Sequence, residues 1–223
     1  MNSEKIVLDL CGGTGSWSKP YKDAGYDVRV ITLPHYDISA ARSITHDGEP
    51  SWRFPGVFDT DDLVVPMKRI YGVLAAPPCT MFSRARTTAK TPRDFAGAMA
   101  TVTHCLKVVW QTQFYTPYTL KFWAMENPAG HLQRFLGKPP FKFHPYEFGD
   151  PHSKQTFIWG NFKEPKKKPV KLTDEQVLQS RNNTRPLPVI PSDYVRDDNM
   201  KPVQIRRSIT PQGFAQAFFR ANK

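Results

Sequence analysis

The chain has 223 residues, 39% of them hydrophobic and 23% charged, which fits one folded α/β-sized domain with room for a small appendage. It contains no run of about 18 or more apolar residues, and its start, MNSEKIVLDL, has no basic end leading into an apolar run and a cleavage site. Its three cysteines, Cys11, Cys79 and Cys105, form no CxxC pair, so a disulfide framework and a zinc ribbon are both unsupported. A soluble, cytoplasmic, metal-free protein is therefore expected.

The formal charge is +11, and it is unevenly spread. Residues 1 to 111 carry 13 basic and 11 acidic groups, residues 112 to 223 carry 18 and 9, so the surplus is +2 and then +9. A basic half suits contact with a polyanion, and a solubilising surface is the plain alternative.

In chain order, the run Ile6, Val7, Leu8, Leu10, broken only by Asp9, predicts a buried strand over Lys5 to Leu10 that enters a glycine turn at Cys11. Ser16 to Gly25 fits a short helix with Gly25 as its C′ residue. The segment YDVRVITL, Tyr26 to Leu33, alternates into a second strand. Strand, glycine loop, helix and strand together open a doubly wound parallel sheet. Residues 34 to 69, with the turn-prone His46 Asp47 Gly48 and Asp59 to Asp62, read as a loop with room for one short element.

Tyr71 to Ala76 predicts a third buried strand, stopped by Pro77 and Pro78. Thr91 and Pro92 read as N-cap and first turn of an amphipathic helix over 93–114 that carries Phe95, Met99, Val102, Leu106 and Val109 on one face. Cys105 in that helix reads as a small packed hydrophobe. Leu120 to Met125 is a fourth strand, ending at Glu126 Asn127 Pro128. Beyond Gly137 lie 11 of the 21 prolines and the run Lys166, Lys167, Lys168, which predicts extended surface segments. Thr210 to Asn222, with Phe214, Phe218 and Phe219, predicts a helix docking back on the domain.

Ligands of open parallel sheets bind outside the carboxyl ends of the strands. Three such ends carry unusual groups here: the glycine turn, Cys79 behind two prolines, and Glu126. The run Asp9 Leu10 Cys11 Gly12 Gly13 Thr14 Gly15 Ser16 resembles the DLFxGxGG cofactor loop of the cytosine-5 DNA methyltransferases. Pro77 Pro78 Cys79 Thr80 Met81 Phe82 Ser83 matches their PPCxxFS motif, and Glu126 Asn127 Pro128 and Arg207 Ser208 Ile209 Thr210 are similar to their ENV and RxLT segments. The chain looks like a compact phage or bacterial member of that family.

The resemblance implies a Rossmann-like S-adenosylmethionine-dependent methyltransferase fold. It implies catalytic roles for Cys79, Ser83 and Glu126, and a cofactor site made by Asp9, Leu10, Cys11, Gly12, Gly13, Thr14, Gly15, Trp17, Asp37 and Pro77. The chemistry needs these residue types. Carbon 5 of cytosine is a poor nucleophile until a thiolate adds at carbon 6, and the charge then developing on the ring needs a proton or strong hydrogen bond at nitrogen 3. Two family features differ: QxRxR is absent, with only Lys154 Gln155 Thr156 in that stretch, and too few residues remain for the usual target-recognition domain.

The expected organisation is a cofactor-binding catalytic domain at 1–137, a proline-rich basic segment at 138–205 forming a minimal substrate-binding region, and a docking helix at 206–223. Arg84, Arg86, Lys166, Lys167, Lys168, Arg206 and Arg207 are the expected nucleic-acid contacts of a monomer acting on DNA with loose sequence specificity. RNA as substrate, transfer of a group other than methyl, and a non-catalytic nucleic-acid-binding protein remain as alternatives. A nicotinamide oxidoreductase fits neither the glycine spacing nor the residues after the second strand.

Overall fold

Alternate side chains of the first strand, β1 (Ile6–Leu10), point to opposite faces of a sheet buried on both sides: Ile6, Leu8 and Leu10 enter one apolar cluster and Val7 the other. The structure, a computed structural model, describes residues 1–84, 86, 89–195 and 200–223. β1 is followed by α1 (Lys19–Asp23) and β2 (Asp27–Ile31). Ala24 caps α1, and Gly25 at φ +83° takes the left-handed position that ends it.

β6 (Ile70–Ala75) lies on the other side of β1, and β7 (Phe122–Pro128) lies beyond it. All of these pairings are parallel. Their carboxyl ends therefore share one edge, and the connections diverge at β1 and β6, which is the switch point where ligands bind in such sheets. Between β6 and β7 runs α2 (Phe95–Tyr115), which buries Val102, Cys105, Leu106, Val108 and Val109 against one face. On the opposite face, α1 packs with α6 (Gln212–Asn222). Phe214 of α6 stacks on Phe143 at 3.9 Å between ring centroids, and the same aromatic layer takes in Trp17, Phe122 and Phe218. The result is a mixed α/β fold around a mostly parallel sheet. None of its helices is long and apolar enough to cross a membrane among the described residues.

Three elements differ from the sequence reading. Residues 34–69, read as a loop, contain a three-stranded antiparallel sheet of β3 (Arg42–His46), β4 (Glu49–Phe54) and β5 (Leu63–Pro66). Asp47 and Gly48, at φ +50° and +76°, make the tight turn between its first two strands. Helix α2 starts later than Thr91 and Pro92 suggest. Its N-cap is Asp94, whose carboxylate accepts from Gly97 N at 2.8 Å.

The third difference concerns the boundary at 137. After α3 (Gln133–Leu136) come β8 (Phe141–Phe143) and β9 (Thr156–Asn161), and β9 pairs antiparallel with β7 to extend the central sheet. These aromatic strands are core and not surface-hugging segments. Outside the sheet, the later chain adds α4 (Asp174–Asn182) and α5 (Pro202–Ser208).

Candidate active site

The glycine turn is pinned at its start on both sides: Cys11 N donates to Ile31 O at 2.8 Å, and Ala76 N to Leu10 O at 2.9 Å. From there the backbone takes left-handed conformations at Cys11, Gly13 and Gly15, and Cys11 to Ser16 remain partly exposed. Below it lies the fully buried Asp9, whose Oδ2 accepts from Ser18 Oγ at 2.5 Å and whose Oδ1 has no protein partner. Burial holds the Asp9 carboxyl up at about 6, against the Ser18 hydrogen bonds that pull it down. Gly12 rests directly on this carboxylate, where an added Cβ would lie 2.3 Å from Asp9 Cγ, while the space over Gly13 is open.

An accessible loop of small residues over a buried acid fits a ligand approached by backbone, as S-adenosylmethionine would be. Gly12, Gly13, Thr14 and Gly15 present the open backbone of this loop. Asp9 and Leu10 are placed differently: Leu10 is core, and Asp9 braces the loop from beneath. Trp17, expected over the cofactor, is instead 2% exposed and packs on Phe214 and Phe218 in the opposite layer. Asp37 accepts from Ser39 N at 2.8 Å and caps a short 3-10 turn. Gly12→Ala is expected to lower stability by about 1–3 kcal/mol and to weaken S-adenosylmethionine binding. Urea denaturation and calorimetric titration of the folded variant check both.

Pro77 is buried and Pro78 exposed, and Cys79 follows as a partly exposed thiol at the end of β6. The chain turns at once, with Phe82 N and Ser83 N both donating to Cys79 O, at 3.0 and 2.8 Å. Three contacts tie this turn to the exit of β7. Asn127 Nδ2 donates to Pro77 O at 3.0 Å, His131 N donates to Phe82 O at 2.8 Å, and Ser83 bridges Gly130. Gly130 is required there because a Cβ would fall 2.2 Å from Phe82 O. Arg93 closes the turn from the other side by donating to the carbonyls of Met81, Ser83 and Arg86.

These ties bring Cys79 and Glu126 into one electrostatic group. Burial first, and the Glu126 charge second, raise the Cys79 thiol, while Lys154 lowers it. Burial also raises Glu126 above the usual carboxylate range, again opposed by Lys154. Lys154 gets there because β9 starts opposite the end of β7, with Thr156 facing Pro128. Its ammonium also reaches Arg207 O at 3.3 Å. The group therefore combines a thiol, a carboxyl that favours its proton, and a cation, a set able to add to a polarised ring and relieve charge on it.

Sequence reading placed Lys154 only as the residue standing where an arginine motif was sought, and it did not single out Asn127 or Arg93. The adjacency of Asn127 to Glu126 was the available signal. Nothing local marks Arg93.

The expected nucleic-acid contacts separate into two sets. Arg84 is exposed, and Arg86 donates to Thr91 Oγ1 at 2.8 Å, both just beyond the Cys79 turn. Arg206 differs from expectation: its guanidinium donates to Leu187 O and Pro188 O, at 2.6 and 2.8 Å. Arg207 donates to Asn183 O at 3.4 Å. Prolines leave carbonyls without nearby donors, and these arginines fasten the proline-rich segment. Lys167 is likewise engaged, 2.8 Å from Glu147 and over the Phe141 ring. Lys166 and Lys168 stay free of ion pairs among the described residues.

No protein-family model and no curated protein sequence matches the chain. Among solved structures it is similar to the Dnmt2 methyltransferase of S. pombe, at 14% identity over 70% of this chain and 50% of that one, with a TM-score of 0.37. It is also similar to a triple mutant of Spodoptera frugiperda DNMT2, at 16% identity over 76% and 53%, with a TM-score of 0.37. The chain spans about half the length of both. The strand order and the parallel pairing of β2, β1, β6 and β7 define the fold.

Proposed function

We propose that this protein is an S-adenosylmethionine-dependent cytosine-5 methyltransferase acting on DNA with loose sequence specificity. The observation that carries the reading is the joining of Cys79, Glu126 and Lys154 at the carboxyl edge of the sheet, beside an open glycine loop. In this reading the Cys79 thiolate adds to carbon 6 of a cytosine, and the ring becomes electron-rich at carbon 5. Glu126 gives a proton or a strong hydrogen bond to nitrogen 3 as charge develops there. Lys154 offsets negative charge across the group and favours the thiolate. S-adenosylmethionine, when bound, would supply the methyl group to carbon 5 and leave as S-adenosylhomocysteine. Loss of the carbon-5 proton and expulsion of Cys79 then restore the aromatic ring.

Asn127 and Arg93 act as positioning residues, because they hold the carbonyls on either side of the nucleophile turn. A cytosine within a duplex must be flipped out at a cost of a few kcal/mol, which an unpaired cytosine avoids. Nucleoside mass spectrometry of DNA and RNA from cells expressing the protein tests the proposal. 5-Methylcytosine rising in DNA supports it as stated, and a rise confined to RNA moves the substrate while keeping the chemistry. Unmodified cytosine in both, with cofactor binding retained, refutes methyl transfer and favours a non-catalytic nucleic-acid-binding protein.

A further inference from the structure

A groove of about 370 Å³, of which Cys79 is not a lining residue, lies along α6 between that helix and the extended chain at Lys166 to Lys168. Sequence alone presents three adjacent lysines as equivalents, but extended backbone sends alternate side chains to opposite sides. Lys167 pairs with Glu147 and lies over Phe141, while Lys166 and Lys168 line the groove. Pairing of Lys168 N with Glu147 O and of Val170 N with Tyr146 O, at 2.8 and 2.9 Å, fixes that alternation.

The opposite bank is a helical row, Gln212, Gln216 and Arg220, spaced four residues apart and therefore on one face of α6. The row extends about 12 Å along the helix. The side chains of Lys166, Lys168 and Arg220 are exposed and make no hydrogen bond or ion pair among the described residues. One carboxylate lines the groove, Asp150, and its Oδ2 accepts from Gly213 N at 3.0 Å at the start of α6. Three cations thus face one carboxylate already held by a helix terminus.

We propose that this groove is a phosphodiester-binding track that holds the backbone of the nucleic-acid strand outside the catalytic edge. The two lysines lie roughly 6–7 Å apart along extended chain, a spacing comparable with the step between phosphates of a single strand. Arg220 faces them across the groove, and the two glutamine amides can donate to phosphate or sugar oxygens. The chain links the track to the site, because Lys154 of the catalytic group bonds the carbonyl of Arg207, just ahead of Gln212. The choice of nucleic acid as the ligand rests on the proposed function; the groove and its charges do not.

Fluorescence anisotropy with matched cytosine-containing single-stranded DNA and RNA, over a salt series, tests the track. The triple variant Lys166→Gln, Lys168→Gln, Arg220→Gln should bind at least about 10-fold more weakly at 0.1 M salt, and its slope of log affinity against log salt should fall by about 2. The single variant Arg220→Gln should lose less than 1 in slope, which keeps the test open if the triple variant folds poorly. Lys121→Gln, a charge-matched change at the entry to β7, should leave both quantities unaltered.

Unchanged affinity and slope for both oligonucleotides would overturn the track. So would an effect confined to anionic vesicles. The binding readout is independent of methyl transfer: weakened binding with no methylation in the unaltered protein sustains the track and removes the proposed reaction. Full methylation with undiminished binding does the reverse.

Discussion

Replacing Cys79 by serine is expected to lower methyl transfer to cytosine by at least about 10³-fold, because a hydroxyl at ordinary pH supplies almost none of the anion needed to add to carbon 6. The fold should survive, since Cys79 is partly exposed and its turn is held through backbone carbonyls and not through the sulfur. Anaerobic handling keeps the comparison clean, because the Cys11 and Cys105 sulfurs lie 4.0 Å apart, close enough for oxidation to join them. A 5-fluorocytosine oligonucleotide with S-adenosylmethionine should trap a covalent adduct on the unaltered protein and none on Cys79→Ser. Intact-mass measurement reads the adduct directly. An adduct that persists without Cys79 would move the nucleophile elsewhere and overturn the assignment. Cys105 is fully buried behind the glycine loop, which leaves Cys11 as the alternative to examine in that event.

The parts of the fold that were legible share one property: their burial pattern is written in consecutive residues. β1, β6 and β7 are apolar runs ending at glycine, proline or acid, and α2 and α6 repeat apolar residues at helical spacing. The small antiparallel sheet was missed because its strands are short and interrupted by Pro50, Arg53 and Pro66, with long-range pairing supplying what local propensity does not. One local signal was nevertheless present. Asp47 Gly48 between flanking strand formers is a hairpin turn that joins His46 to Glu49. The start of α2 is set by its cap: Asp94 accepts from Gly97 N and opens the helix, and Arg93 just ahead of it gathers three carbonyls of the Cys79 turn.

At the candidate site, residue types were legible and side-chain directions were not. Asp9 shares the strand face of Val7, which sends its carboxylate under the glycine loop toward Ser18. Trp17 lies in the same layer, and its ring finds Phe214 and Phe218 from a helix almost two hundred residues away. The basic half divides in the same manner. Charge counting treats Arg206, Arg207 and Lys167 like Lys166 and Lys168, yet the first three are held by carbonyls or by Glu147. Only the folded chain separates cations that fasten the protein from cations that remain available to a ligand.

Glu126→Gln is expected to reduce methyl transfer by about 10²- to 10⁴-fold, and its second effect distinguishes a proton donor from a structural residue. Glutamine keeps a hydrogen-bond donor of nearly the same shape but has no proton to give at nitrogen 3. Burial already raises Glu126, so the carboxyl holds a proton at higher pH than an ordinary glutamate. The same residue, when ionised, stands beside Cys79 and raises the thiol after burial has done so. Removing that negative charge must shift the Cys79 pKa downward, because the thiolate loses a like-charged neighbour. Alkylation of Cys79 by iodoacetamide across pH reads this shift, with the midpoint of Glu126→Gln below that of the unaltered protein. Lys154→Met should move it the opposite way, since the cation that favours the thiolate is gone. Activity requires thiolate and protonated carboxyl together, so kcat/KM should be bell-shaped in pH, and the limbs belong to the coupled pair and not to either residue alone. In Glu126→Gln the carboxyl no longer titrates, and the bell should become a single rise toward alkaline pH. A variant that loses activity while the alkylation midpoint and the shape of the profile stay unchanged would show that Glu126 supports the site only by packing.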